Sequence, residues 1–191
     1  MHEAEETILD HFRETEALLD GHFILSSGLH SSQYLQCALA LQIPAAARMF
    51  GRAIARHFDD RRIETVASPA IGGLIIGFAV AEAMKVRFIW TERQDGKMTI
   101  RRGFAVKPGE RMLVVEDVIT TGGSTRECIQ ALEKDGGDVV AAASIVDRSG
   151  GDAETGVPRI ALLSMNVPTY PPDSCPMCAS GIAAYKPGSR R

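Results

Sequence analysis

Glu116 and Asp117 are adjacent carboxylates that follow a four-residue apolar run, Met-Leu-Val-Val, and precede Val118, Ile119 and six hydroxyl or glycine residues at 120–125. The apolar run is what a strand buried on both faces of a parallel sheet requires. Two acids at its carboxyl end belong to a site rather than to a core. Beyond residue 125 the segment Arg-Glu-Cys-Ile-Gln-Ala-Leu-Glu-Lys reads as an amphipathic helix, so a helix amino terminus points into the loop. Unpaired amides, the permissive Gly122 and Gly123, the positive end of the helix dipole and the hydroxyls of Thr120, Thr121, Ser124 and Thr125 together suit an anion the size of a phosphate monoester. The acids would repel that phosphate but accept hydrogen bonds from sugar hydroxyls, so a pentose 5-phosphate satisfies both halves. The competing reading is a Ser/Thr N-cap on an ordinary helix, with the acids on a solvated turn. Neither Gly-x-x-x-x-Gly-Lys-Ser/Thr nor Gly-x-Gly-x-x-Gly occurs, which removes the usual support for nucleotide hydrolysis or dinucleotide binding.

Three further loops carry usable groups. Ser-Pro-Ala-Ile-Gly-Gly at 68–73 precedes a helix-like segment and reads either as a second phosphate-binding turn or as close helix-strand packing. Residues 93–103 are polar and glycine-flanked, as a hairpin or mobile flap would be; Arg93, Lys97, Arg101 and Arg102 read either as a solvated face or as cations that close over a polyphosphate. Arg148 follows an apolar strand and Asp147; it could grip a carboxylate or an amide-imide edge in bidentate fashion, or pair with a neighbouring acid.

The elements that must position these groups alternate. Helical periodicity covers 4–19 and ends at Asp20-Gly21; two short strands around a Ser/Gly turn follow at 22–37; Pro44 opens a helix to about His57. Strand-like 65–68, helix-like 74–84, strand-like 86–91, the strand at 112–116, the helix after 124 and the strand at 139–146 run in β-α-β order. That order builds a parallel sheet with helices on both faces, and the loops after 68, 91, 116 and 146 converge outside the strands' carboxyl ends. The 191 residues, 45% hydrophobic, suffice for one domain with a small appendage.

A net charge of -3 argues against a constitutive nucleic-acid binder. No apolar run reaches membrane-span length and the amino terminus is acidic, so a cytoplasmic protein is expected, with neither nucleic acid nor membrane as partner. In a reducing compartment the four cysteines form no disulfide framework. Cys37 and Cys128 have apolar neighbours and read as core. Cys175-Pro-Met-Cys178 has the spacing of half a zinc site, but no second Cys-x-x-Cys or His-x-x-x-His completes it, which leaves ligands shared across a dimer as its form.

The string at 112–125 resembles the 5-phosphoribosyl 1-pyrophosphate (PRPP) motif of the type I phosphoribosyltransferases. Residues 21–36, Gly-His-Phe-Ile-Leu-Ser-Ser-Gly-Leu-His-Ser-Ser-Gln-Tyr-Leu-Gln, resemble the segment that forms a hood over the base in orotate phosphoribosyltransferases. Residues 92–104 look like one bacterial and archaeal branch's catalytic loop, and Cys-Pro-Met-Cys-Ala-Ser-Gly with Lys-Pro-Gly-Ser-Arg at 186–190 is similar to its tail. The resemblance implies an α/β fold with a central, mostly parallel sheet flanked by helices, an amino-terminal hood and a flexible basic loop. It implies a single domain over 1–191, divided into helix and hood at 1–43, α/β core at 44–166 and tail at 167–191.

The resemblance also implies roles. Glu116 and Asp117 would take the ribose hydroxyls, and Thr121, Gly122, Gly123 and Ser124 the 5-phosphate, with Val118, Ile119 and Thr120 completing the PRPP stretch. Thr120 and Arg148 would hold orotate's ring and carboxylate, and Tyr34 would lie near the base. Arg93 and Lys97 would reach the pyrophosphate, usually in the neighbouring subunit's site, which implies a homodimer. Lys97 is the expected general acid, with Arg101 and Arg102 behind it, and Lys97, Asp117 and Arg93 are the expected catalytic set. The chain departs from the enteric pattern at Ser26 and Gly72, where that pattern has lysines, and its flap is shorter and lacks a histidine. Magnesium is the implied cofactor, held mainly by PRPP and water with no direct protein ligand. The implied reaction is 5-phosphoribosyl transfer from PRPP to N1 of orotate. Two rivals share the motif: a purine-base phosphoribosyltransferase, separable by substrate profile, and a non-catalytic PRPP-sensing regulator, separable by salt-dependent nucleic-acid binding without turnover.

Overall fold

The computed structural model describes residues 2–25 and 27–187 and divides into two compact units, residues 41–165 and residues 1–40 with 166–191. Ser26 and the Gly-Ser-Arg end of the carboxyl-terminal motif lie outside the described residues.

In residues 41–165 the apolar runs become a six-stranded sheet. In chain order its strands are β3 (Thr65–Pro69), β4 (Arg87–Gln94), β5 (Lys97–Ile100), β6 (Arg111–Ile119), β7 (Asp138–Asp147) and β8 (Arg159–Ser164), arranged spatially as β5-β4-β3-β6-β7-β8. Every pairing is parallel except β4 with β5, a hairpin whose turn, Asp95-Gly96, has both residues at positive φ. That is the turn geometry an Asp-Gly pair selects, so the basic segment is a hairpin at the sheet edge. Helices α3 (Pro44–Ala55), α4 (Gly73–Met84) and α5 (Gly123–Lys134) lie against the strands. Phe50, Ile54, Ile76 and Val80 are fully buried on α3 and α4, while Cys128, Ile129 and Leu132 of α5 pack with Ala67, Ile89, Met112, Val114 and Val139. Burial pushes the Cys128 thiol up to about 12, as befits an inert core cysteine.

Two boundaries differ from the sequence expectation. β6 does not stop at the acids but runs to Ile119, because β7 pairs with it as far as Ile119↔Asp147. β8 was not expected: residues 148–158 cross from β7 to a parallel neighbour without a helix, so no helical period marks the crossover.

The other unit carries α1 (His2–Glu14) and a three-stranded antiparallel sheet of β1 (Leu18–Ile24), β2 (His30–Leu35) and β9 (Thr169–Tyr170), in the order β1-β2-β9. The short helix α2 (Cys37–Leu41) follows β2, and Cys37 is buried as expected. Leu18 and Leu19, read as the end of the first helix, instead open β1. Glu16 takes a positive φ, which stops the helix before them, and the Asp20-Gly21 pair lies at a register shift within the strand. The carboxyl-terminal segment runs beside β1: Ile24 donates to the Tyr185 carbonyl and Tyr185 to the His22 carbonyl, both at 2.8 Å. It contains α6 (Pro176–Ala179), which brings Cys175 and Cys178 to His22 and His30. Four groups with metal-ligating chemistry therefore meet within one chain, two of them from a hairpin whose spacing no zinc-knuckle pattern covers.

Candidate active site

The acid pair projects from the last turn of pairing in β6, and the phosphate-sized loop is tighter than its sequence implies. α5 begins at Gly123, not after residue 125, so Ser124 and Thr125 lie in its first turn. Its N-cap is Gly122 at φ 75, and no side chain caps the helix. The Ser/Thr N-cap reading therefore fails, and the first amides of α5 keep their hydrogen-bonding capacity for a ligand. Gly122 is required twice over: its φ is left-handed, and a Cβ there would lie 3.0 Å from the Glu154 carbonyl oxygen. Thr120, Thr121 and Ser124 are exposed around this loop.

Thr125 is fully buried and donates its hydroxyl hydrogen bond to Oε2 of Glu116, so it is a strut between helix and strand rather than a ligand group. Glu116 and Asp117 are half-buried. Desolvation pushes Glu116 up to about 7 against the Thr125 hydrogen bond, with the Asp117 charge adding to the rise. Desolvation likewise raises Asp117, against hydrogen bonds from its own and Val118's amide. Two carboxyls held above their ordinary range have no ion-pair partner among the described residues and are poised to accept hydroxyl hydrogen bonds or sit beside a cation.

The loop after β3 closes on the same acids. A Cβ at Gly72 would lie 2.6 Å from Oδ1 of Asp117, and one at Gly73 2.8 Å from the Val115 carbonyl oxygen. Gly73 is thus a close helix-strand approach, while Gly72 keeps the space beside the Asp117 carboxylate open. The Ala70-Ile71 peptide in this loop is cis.

Thr120 and Arg148 are brought together by sheet register: the Arg148 amide donates to the Ile119 carbonyl at 2.8 Å, one residue past the Ile119↔Asp147 pair. Asp147 is held by Arg159 Nη1 at 2.6 Å and by the Ser149 amide and hydroxyl at 2.8 and 2.6 Å. Burial opposes its charge, but these bonds and the Arg159 charge leave its carboxyl below the ordinary value. Tyr34 belongs to β2 in the other compact unit, where its ring lies 5.7 Å from that of Phe23.

The flap cations are largely committed. Arg102 makes a bidentate pair with Glu92, at 2.8 and 3.1 Å, and Arg101 approaches the same carboxylate at 3.9 Å. Glu92 in β4, nine residues from Arg101 and ten from Arg102, meets both across the hairpin. Arg93 pairs with Glu127 of α5 at 2.6 Å and donates to the Gly96 carbonyl. Among the described residues, Lys97 is the flap cation with no ion-pair partner. The residues that sequence reasoning missed are Thr125 as strut and Gly72 as spacer; the nine-residue interval from Glu116 to Thr125 gave no signal without knowing where α5 starts.

Comparison with known proteins places this arrangement. The fold is that of a phosphoribosyl transferase domain, whose family description matches residues 40–157. The chain is 50% identical over 186 residues, 97% of each chain, to the orotate phosphoribosyltransferase of Caldicellulosiruptor saccharolyticus. It is 52% identical over 182 residues to that of Carboxydothermus hydrogenoformans, covering 94% of this chain and 95% of the relative. A crystal structure of Mycobacterium tuberculosis orotate phosphoribosyltransferase in complex with PRPP superimposes with a TM-score of 0.68 at 25% identity, over 84% of this chain and 96% of that one. The chain belongs to the orotate phosphoribosyltransferase family.

Proposed function

We propose that this enzyme transfers the 5-phosphoribosyl group of PRPP to N1 of orotate, giving orotidine 5′-phosphate and diphosphate in pyrimidine biosynthesis. The observation that carries the reading is the placement of two carboxyls, without an ion-pair partner among the described residues, at the end of β6 beside the uncapped amino terminus of α5. The α5 amides with Thr121, Gly122, Gly123 and Ser124 hold the 5-phosphate; Glu116 and Asp117 accept the ribose hydroxyls, and Val118, Ile119 and Thr120 set the distance between them. Breaking the anomeric bond creates oxocarbenium character on the ribose, a positive charge that Asp117, when ionised beside the ribose, favours. Arg148 grips orotate's carboxylate and the neighbouring Thr120 hydroxyl meets its ring, which aligns N1 with the anomeric carbon. Tyr34 is assigned to the base on the sequence resemblance.

Lys97 and Arg93 neutralise the departing diphosphate, with Lys97 as proton donor; Arg93 must exchange Glu127 for the diphosphate as it does so. The hard oxygen donors of Glu116 and Asp117, short of positive charge, fit a site that accepts magnesium. Magnesium would be held mainly by PRPP and water, with Glu116 and Asp117 beside it, and would supply charge neutralisation of the diphosphate.

The working unit is a homodimer in which the flap serves the neighbouring site. Ile75 and Phe78, three residues apart on α4, and Ile71 in the loop before it are exposed at 47, 60 and 83%, apolar surface that a second subunit would cover. No helix among the described residues is long and apolar enough to cross a membrane. With a net charge of -3, a cytoplasmic enzyme acting on small molecules, without nucleic-acid or membrane partners, is the assignment that fits.

The test is the loss of orotate's ultraviolet absorbance with PRPP and magnesium. Turnover that requires all three and collapses in Asp117→Asn and Arg148→Ala is the expected result. Retained PRPP binding without orotate turnover, or turnover of a purine base instead, would overturn the assignment.

A further inference from the structure

Four lone-pair donors converge within the unit formed by residues 1–40 and 166–191. His22 Nε2 lies 2.8 Å from His30 Nδ1, 3.5 Å from Cys175 Sγ and 3.8 Å from Cys178 Sγ; Cys178 Sγ lies 3.3 Å from His30 Nδ1. All four ligand atoms fall within 4.8 Å of one another. We propose that these residues form a structural Cys2His2 site for Zn2+ that fastens the carboxyl-terminal segment to the β1-β2 hairpin.

Metal-ligand bonds of about 2.0–2.1 Å to nitrogen and 2.3 Å to sulfur place tetrahedral ligands about 3.3–3.8 Å apart. Three of the four nitrogen-sulfur separations already lie in that range, the two imidazole nitrogens need to part by about half an ångström, and the widest donor pair, within 4.8 Å, to close by about an ångström. Two thiolates and two imidazoles are the donor set that tetrahedral zinc takes among common divalent ions.

The surroundings prepare the ligands. His22 Nδ1 lies 2.7 Å from the Ile182 carbonyl oxygen, which only accepts, so the ring proton resides on Nδ1 and the Nε2 lone pair faces the cluster. A metal-ligating histidine is oriented by this kind of outer hydrogen bond. Strand pairing puts both rings on one side of the hairpin: His30 pairs with Ile24, and His22 is two residues from Ile24 on the same face. The Cys-Pro-Met-Cys turn, closed by the Ala179 amide on the Cys175 carbonyl at 3.1 Å, presents both sulfurs to that face. His22 and His30 are 4% and 7% exposed and Cys175 3%. Thiols are weak hydrogen-bond partners for two buried imidazoles, whereas a cation engages all four donors. Cys178 is exposed and gives the metal a way in.

The consequence is structural. A second chain end is pinned to a small antiparallel sheet that has little core of its own, much as metal clips stabilise small domains. The proposal is independent of the transferase reading.

The experiment uses the full chain, purified with reductant, stripped with chelator and titrated with Co2+ alone. Expected are saturation at one equivalent per chain, the intense visible bands of tetrahedral cobalt with a thiolate charge-transfer band, displacement by one equivalent of Zn2+, and a higher melting temperature for the zinc-loaded protein. Cys178→Ser and His30→Ala should each lose the tetrahedral thiolate spectrum while retaining the parent's circular dichroism. If a variant does not fold, the parent's spectrum and its zinc content by elemental mass spectrometry decide. A weak octahedral cobalt spectrum, a spectrum unchanged in a folded variant, or a Cys175–Cys178 disulfide that persists under reductant would overturn the proposal.

Discussion

The buried hydroxyl of Thr125 donates to Glu116 across the junction of α5 and β6, so one hydrogen bond couples the helix that offers phosphate-binding amides to the strand that offers the acids. Its effect on the carboxyl opposes burial, which still leaves Glu116 near 7.

A carboxyl raised from 4.5 to about 7 gives a defined pH dependence. The folded state keeps a proton that the unfolded state releases, so this group's contribution to stability falls as pH rises from about 4.5 to about 7 and is level above that. Ribose hydroxyls bind the ionised form better, so PRPP affinity should rise with pH through about 7 in the parent. Calorimetric titration with PRPP between pH 5.5 and 8.5 should show a steeper rise in the parent than in Glu116→Gln, since ionisation of PRPP itself is common to both. Equal slopes would remove Glu116 from the site.

Gly72→Ala tests the spacer beside Asp117. The added methyl would meet Oδ1 at 2.6 Å, so the carboxylate must turn away from its position. Misplacement of about an ångström costs on the order of 100-fold in rate. The expected outcome is a large fall in kcat with a melting temperature within a few degrees of the parent; unchanged kcat would show that Asp117's position is not critical.

Arg159→Met leaves Asp147 buried at 3% exposure without its cation. Breaking a buried pair costs about 3 kcal/mol or more. The Asp147 carboxyl lies below its ordinary 3.8 in the folded state, so the stabilisation is present above that value and is lost as pH falls through the lower, folded one. Urea unfolding should therefore show the deficit at neutral pH and a smaller one toward pH 3. Because Asp147 precedes Arg148, KM for orotate should also rise while PRPP affinity holds.

Service of the flap to the neighbouring subunit predicts complementation. Lys97→Ala and Asp117→Asn should each be nearly inactive alone. Re-assembled in equal amounts, half the dimers are mixed and each mixed dimer has one intact site, so about a quarter of parent turnover should return. No recovery would place the flap over its own subunit's site.

The strand-acid-loop-helix string and its substrate chemistry were legible in the sequence because the determinants are contiguous: burial period, two acids, glycines and a helix that must begin nearby. The Asp95-Gly96 turn announced its hairpin for the same reason, since local backbone preference decided it. Boundaries were less legible. Where β6 ends depends on β7 as partner, and where α5 begins depends on a left-handed Gly122, so Thr125 looked like a ligand and proved a strut.

The sequence by itself determined the family and the β-α-β core, because the strand, acid pair, loop and helix of the 112–134 stretch are contiguous. Only the tertiary structure decided which cations of the flap are already paired, that Gly72 guards the Asp117 carboxylate, and that His22 and His30 stand with Cys175 and Cys178. Those relations join residues up to 156 positions apart, and strand register and backbone approach fix them, neither of which is written in residue spacing along the chain.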